Sequence, residues 1–249
     1  MFRQPIRLAR FIRPVTRVWA PAPAPAPALA PWRIARRTYA EHHFPGNKAE
    51  SLEHSEIFKI SQAIQQDHDE LEDYYNRIIN SKDHDEQRRF QNAFVWELAR
   101  HSIAEELVVY PTLEKAVSDG AQRADQDRAE HQKVKEQLYE FQKLKPGDEK
   151  FIPTLEALFK DLKEHIKHEE EDDLVKLEDA LGLTQSKELS QKFEKTKYFT
   201  PTRSHPSAPD KPPFETVVGL MTAPIDKIRD LFAKFPDYKK VKPYGGQSP

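Results

Sequence analysis

His101 and Glu105 stand where a helix should bury leucines. From Phe90 the apolar stripe runs Phe90, Phe94, Leu98, then His101, Glu105 and Val108, in steps of three and four that keep all six on one helical face. A carboxylate taken into an apolar interior is costly unless a proton, an opposite charge or a bound cation compensates it. The interruption recurs in three more helical patterns. His68 sits among Ile57, Ile60, Ile64, Leu71, Tyr75 and Ile78, and His131 among Asp127, Val134, Leu138 and Phe141. His165 and Glu169 continue Leu155, Leu158 and Leu162 in the order of His101 and Glu105. Four inward histidines and two inward glutamates from four consecutive helices make a nitrogen and oxygen donor set. Imidazole with carboxylate suits iron, zinc or manganese over calcium or magnesium, and carboxylate sites in bundle cores commonly hold two metal ions. A metal-free network would have to neutralise two glutamates with histidinium ions, at high cost in a dry core.

The elements that position these residues are all-α. The first helix is expected to begin near Ser55. The second begins near Asp83, whose side chain can cap it while Glu86 reaches back in a capping box. Pro111 falls inside the second pattern and predicts a kink or an early end just beyond the ligands. Gly120 marks a break before the third helix, Lys145-Pro146-Gly147-Asp148 ends it, and Pro153 suits the first turn of the fourth. The short links place successive helices antiparallel in an up-down-up-down bundle, with the ligands at a common height.

The ordered motifs Asp67-His68-Asp69-Glu70-Leu71, His101-xxx-Glu105-Glu106 ending in Tyr110-Pro111, Glu130-His131, and His165-xxx-Glu169-Glu170 resemble the hemerythrin family in its HHE cation-binding branch. The resemblance covers residues 55–181, about half the chain. It implies a four-helix bundle with two non-haem iron ions held by His68, His101, Glu105, His131, His165 and Glu169, the glutamates bridging and the histidines terminal. Zinc or manganese are the alternative metals. Ferritin-like bundles use Glu-xx-His, the reverse of the order here. Oxygen-carrying hemerythrins place a further histidine one turn before the third-helix ligand, where this chain has Asp127. That position leaves one metal with a carboxylate or an open site, and it turns the reading from reversible oxygen carriage towards oxygen or peroxide chemistry, iron handling or sensing. Asp127, His168 and Glu170 stay open as further ligands; His168 is expected behind the ligands or in solvent, and Glu106 and Glu170 are expected as companions of the bridging glutamates. The function implied is binding of oxygen or another small diatomic or peroxide ligand, or iron storage and sensing. The alternatives are a di-iron oxidase or peroxide-scavenging enzyme, needing a nearby Tyr75 or Tyr110, and an interaction module with a structural metal.

The 249 residues, 37% hydrophobic, suffice for one sizeable core, and seven glycines without alternating β-branched runs argue against a sheet. The absence of cysteine excludes disulfides, thiolate zinc sites and iron–sulfur ligation by this chain. Residues 1–40 hold eight arginines and no acidic residue, so the rest carries ten more acidic than basic residues, which makes it a poor nucleic-acid binder. Residues 1–39 have the basic amphipathic pattern of a mitochondrial presequence, followed by a Pro-Ala spacer, with a matrix-processing site expected after Tyr39. Residues 40–54 read as a linker. No apolar run is long enough to span a bilayer. In residues 182–249, a Pro-rich linker (198–213) laid over the surface leads to an apolar stripe at Val218, Met221, Ile225, Ile228, Phe232 and Phe235, which Pro224 is expected to split into two short helices. This stripe is expected to return and cover the bundle; the alternative is a docking face for a partner or membrane within residues 214–235.

Overall fold

The computed structural model describes residues 58–208 and 214–237. The presequence, its spacer, the 40–54 linker and the helix start expected near Ser55 lie outside the described residues, as do residues 209–213 of the Pro-rich linker. Among the described residues every regular element is helical. The elements are α1 (Ile60–Asn80), α2 (His84–Ala104), a π-turn (Glu105–Val109) leading into α3 (Tyr110–Ala116), α4 (Gly120–Phe141), α5 (Phe151–His168), a second π-turn (Glu169–Asp173) leading into α6 (Leu174–Ala180), α7 (Leu183–Lys197) and α8 (Phe214–Asp230).

The long helices run antiparallel. Gln87 at the start of α2 donates to the Ile78 carbonyl near the end of α1, whereas Asp67 and His101 meet farther along the pair. Gln91 donates to the Phe141 carbonyl at the end of α4, and Gln137 and Glu130 of α4 meet Asp161 and His165 of α5. The apolar core is in two parts. One holds Leu71, Ile78, Phe90, Phe94, Leu138, Phe141, Phe151 and Leu158. The other holds Ile60, Ile64, Val109, Leu113, Ala124, Leu174, Leu177 and Phe193. The inward histidines and glutamates form the layer between them.

Local chemistry explains the helix ends. Asp83 caps α2 by accepting from the Asp85 N–H at 2.8 Å. The expected capping box is not formed: the Ser81 hydroxyl accepts from the Asp83 N–H at 3.1 Å and donates to Glu86 at 2.6 Å, so Ser81 satisfies the donor that Glu86 would have reached. Pro111 does not end the helix. The chain takes a π-turn before it, in which the Tyr110 N–H reaches back to the Glu105 carbonyl, and Pro111 then falls in the first turn of α3, where a missing N–H costs little. Gly120 lets α4 start against α3, since a Cβ there would lie 2.0 Å from the Leu113 carbonyl oxygen.

Beyond Gly182 the helical order continues. Helix α7 packs on α1, α2 and the first π-turn, burying Ser186, Leu189, Ser190, Phe193 and Lys197. Residues 198–208 then follow the bundle as a strap. The Ser204 hydroxyl donates to the Lys135 carbonyl at 2.6 Å, and Gln142 clamps the Ser204 backbone through both its N–H and its carbonyl. Helix α8 runs through Pro224 unbroken, and Pro224 lies on its exposed side. Polar side chains anchor its second half. Asp230 accepts from Thr202 and Arg203, and Asp226 meets His205, at 2.6–2.8 Å. Ile225, Ile228 and Phe232 point to solvent, Phe232 being 85% exposed, while Phe235 packs against Trp96. The segment therefore lies against the bundle through polar anchors, and Ile225, Ile228 and Phe232 of the stripe are left outside, while the side chains of Val218 and Met221 lie outside the described residues.

Candidate metal centre

All six residues singled out by spacing lie in one buried layer, none more than 3% exposed. Glu105 Oε2 lies 3.2 Å from His101 Nε2 and 3.4 Å from His131 Nε2. Glu169 Oε2 lies 3.4 Å from His68 Nε2 and 3.9 Å from His165 Nε2. Each glutamate thus faces two histidines from different helices, and the His131 and His165 Nε2 atoms approach to 3.0 Å. Two groups bring their donor atoms within 4.8 Å of one another, His68 with His101 and Glu105, and Glu105 with His131 and His165. Glu105 belongs to both.

What aims the imidazoles inward is a ring of carboxylates behind them. Asp67 of α1 meets Nδ1 of His101 at 3.0 Å, and Glu106 after α2 meets Nδ1 of His131 at 3.1 Å. Glu130 of α4 meets Nδ1 of His165 at 2.9 Å, and Glu170 after α5 meets Nδ1 of His68 at 2.7 Å. Each bundle helix therefore sends one carboxylate to the histidine of the next, and the fourth closes the circle on the first. A carboxylate accepting from Nδ1–H fixes the tautomer that leaves Nε2 free to coordinate, and it strengthens the imidazole as a donor. The sequence carries the signal: every ring member is the immediate neighbour of a core residue, in Asp67-His68, Glu105-Glu106, Glu130-His131 and Glu169-Glu170. Adjacent residues on a helix point roughly 100° apart, so one aims into the core and the other at the neighbouring helix. Glu106 and Glu170 accordingly accompany histidines of other helices, not the glutamates beside them. The two π-turns start at the inward glutamates, and Glu105 and Glu106 of the first are both fully buried.

Two buried ammonium groups stand behind the ring. Lys197 of α7 reaches both oxygens of Asp67 at 2.6 and 2.7 Å and Glu97 at 3.2 Å, and Lys135 reaches Glu106 at 2.6 Å. Neither lysine lies on a ligand motif, and the strong polarity of both types hides their burial in a sequence pattern. The Tyr110 hydroxyl lies 3.0 Å from His131 Nε2, whereas Tyr75 stacks on Phe159 away from the layer.

The layer is electrostatically incomplete as it stands. His68 Nε2, Glu169 Oε2 and both oxygens of Glu105 are buried without a hydrogen-bond partner. Burial, and then the charge of Glu169, push the Glu105 carboxyl well above the usual carboxylate range. Burial acts likewise on Glu169, but the close approach of the His68 imidazole and the charges of His165 and His68 outweigh it and hold Glu169 low. Burial lowers His68 less than Glu169 and Glu170 raise it, so it is pushed up to about 9. Burial dominates at His131 and brings it down to about 4, an imidazole kept neutral. The inward imidazole nitrogens and the orphaned oxygens of Glu105, buried and within 4.8 Å of one another in each of the two groups, fit a bound transition-metal cation; Glu169 faces His68 and His165 but belongs to neither group.

A helical bundle with such a layer defines a metal-binding bundle protein, and the comparisons with known proteins agree. The model of the hemerythrin HHE cation binding domain matches residues 59–177. An uncharacterized hemerythrin-like protein of Schizosaccharomyces pombe is 51% identical over 179 residues, which cover 72% of this chain and 88% of that relative. No solved structure matches. The chain belongs to the hemerythrin HHE cation-binding family.

Proposed function

We propose that the buried layer holds two non-haem irons, with Glu105 and Glu169 bridging and His68, His101, His131 and His165 as terminal ligands. The observation that carries this reading is the closed ring of four carboxylate–histidine pairs, which turns every Nε2 toward the same two orphaned glutamates. Charge supports the number of ions. The six carboxylates of layer and ring face the ammonium groups of Lys197 and Lys135, an excess of four negative charges with neutral imidazoles, which two divalent cations match.

When bound, a ferrous pair supplies the electrons and open coordination to bind or reduce oxygen or a related small ligand. The chain itself shields the layer from bulk water, since every layer residue is buried, and that burial supports a small diatomic or peroxide ligand over a bulky one. Asp67, Glu106, Glu130 and Glu170 hold the Nδ1 protons and so keep the imidazoles in register as the metal charge changes. The test is oxygen uptake by anaerobically loaded ferrous protein. Uptake that saturates in proportion to the iron held by the chain, and is lost in Glu105→Gln, supports the reading; uptake no different from free ferrous ion refutes it.

A second reading, a di-iron oxidase or peroxide-scavenging enzyme, rests on Tyr110, whose phenol touches His131 and is placed to deliver a proton or an electron to the layer. Sustained turnover with peroxide or an organic reductant separates it from simple binding. Residues 1–39 support a mitochondrial matrix location, which a reporter fused to that segment tests. The outward Ile225, Ile228 and Phe232 support a contact of α8 with a partner or a membrane surface.

A further inference from the structure

Beside the layer lies a second cluster that the reading above does not use. Asp127 is fully buried on α4, one turn before His131, and neither of its carboxylate oxygens has a hydrogen-bond partner. His168 Nδ1, at the end of α5, and Asp173 Oδ2, at the end of the second π-turn, are equally without one. These atoms converge: His168 Nδ1 is 3.3 Å from Asp173 Oδ2 and 4.0 Å from Asp127 Oδ1. Asp127, His168 and Glu130 place donor atoms within 4.8 Å of one another, and so do His168, Asp173 and Asp172. The Arg123 guanidinium takes the other oxygen of Asp173 at 2.7 Å and also binds Asp172 and Asp119, so it neutralises the rim and forms no ion pair with Asp127.

We propose that Asp127, His168 and Asp173, with Glu130 at the rim, form a separate binding site for a divalent transition-metal ion. A buried carboxylate with both oxygens unpartnered is costly, and a cation shared with Asp173 and His168 removes that cost. One imidazole among carboxylates selects iron(II), manganese(II) or zinc(II) over calcium. The site differs from the layer in access. The side chains of His168 and Glu130 are 33% and 34% exposed, whereas the layer ligands are at most 3% exposed. Its ion therefore exchanges with solvent more readily than ions in the layer. Glu130 stands between the two sites, since its carboxylate also holds His165.

The test uses the full chain with manganese(II) as the probe, counted by elemental analysis and followed by electron paramagnetic resonance. Asp127→Asn and His168→Gln are each expected to lose one equivalent of manganese, and that equivalent is the one a brief chelator wash removes first from the parent. Glu105→Gln/Glu169→Gln, which disables the layer, is expected to keep it. Unchanged stoichiometry in both Asp127→Asn and His168→Gln overturns the proposal, as does loss of slowly exchanging manganese in Asp127→Asn, which would make Asp127 a ligand of the layer. Failure of the layer reading shows differently, as a Glu105→Gln/Glu169→Gln variant that binds as much manganese as the parent. Circular dichroism of each variant confirms that the bundle is folded.

Discussion

Replacing Lys197 by methionine tests whether α7 belongs to the machinery of the centre. The Lys197 side chain is fully buried, with its ammonium 2.6 and 2.7 Å from the two oxygens of Asp67 and 3.2 Å from Glu97. At those distances the gross attraction to one carboxylate is about 6 kcal/mol for an effective dielectric near 20, and desolvation offsets part of it. Removing one partner of a buried pair leaves an uncompensated charge and costs about 3–5 kcal/mol. For a domain of this size each kcal/mol moves the melting temperature by about 2–4 °C, so metal-free Lys197→Met should melt about 6–20 °C below the parent. The pH dependence has a definite sign. Burial tends to raise Asp67, but the Lys197 charge and the His101 hydrogen bond prevail and hold it below its ordinary value. That stabilisation is present above the unfolded carboxylate range and is lost as pH falls through the depressed value, so the parent–variant gap should be full at neutral pH and narrow in acid. Adding Asp67→Asn should restore part of the loss, because the amide removes the stranded charge and its oxygen still accepts from His101. Thermal melts of the three proteins suffice; a shift below about 2 °C, without rescue, would refute a buried ion pair of this kind.

Four further outcomes follow from named contacts. In the metal-free protein His68, raised to about 9, carries a proton at pH 7, and burial holds the Glu105 carboxyl well above the usual carboxylate range. Metal loading should therefore release protons, seen by calorimetry in buffers of different ionisation enthalpy, and affinity should rise with pH up to about 9; loading without proton release would show that these groups are already bare. The His68 contribution to metal-free stability should be complete below about 6.5 and lost as pH rises through about 9. Tyr110→Phe removes the hydroxyl beside His131; metal content should persist, and a fall in turnover without a fall in oxygen binding would favour the enzyme reading. Gly120→Ala forces a Cβ to 2.0 Å from the Leu113 carbonyl, and should destabilise by at least about 1–3 kcal/mol in denaturant melts.

Much of the bundle was legible because a three–four step of apolar residues has one structural meaning, and a histidine or glutamate inside it breaks the pattern visibly. His101, Glu105, His165 and Glu169 stand out for that reason, and the structure brings them together with His68 and His131. The supporting ring was less legible. Asp67 and Glu130 are ordinary helix-surface types, and only the closure from helix to helix gives them a role. Lys197 lay outside the expected bundle, where a polar sequence hid the buried face of α7. Residue type alone predicts a kink or an early end at Pro111 and a split at Pro224; the regular α-helix does give way to a π-turn just before Pro111, whereas α8 continues through Pro224, which is exposed. The spacing of the α8 stripe allows either a cover over the bundle or a docking face; Ile225, Ile228 and Phe232 face solvent, and Asp226 and Asp230 fix the helix through specific hydrogen bonds that residue type alone does not announce.

The central claim is that Glu105 and Glu169 share two ions between them. Its most direct measurement is elemental analysis of anaerobically iron-loaded full chain after a brief chelator wash, in the parent and in Glu105→Gln, Glu169→Gln and Glu170→Gln. The account predicts two retained irons in the parent, loss of the pair in Glu105→Gln and in Glu169→Gln, and retention in Glu170→Gln, whose amide oxygen still accepts from His68. A parent that holds a single zinc and no iron, or a Glu105→Gln variant that keeps both irons, would contradict it.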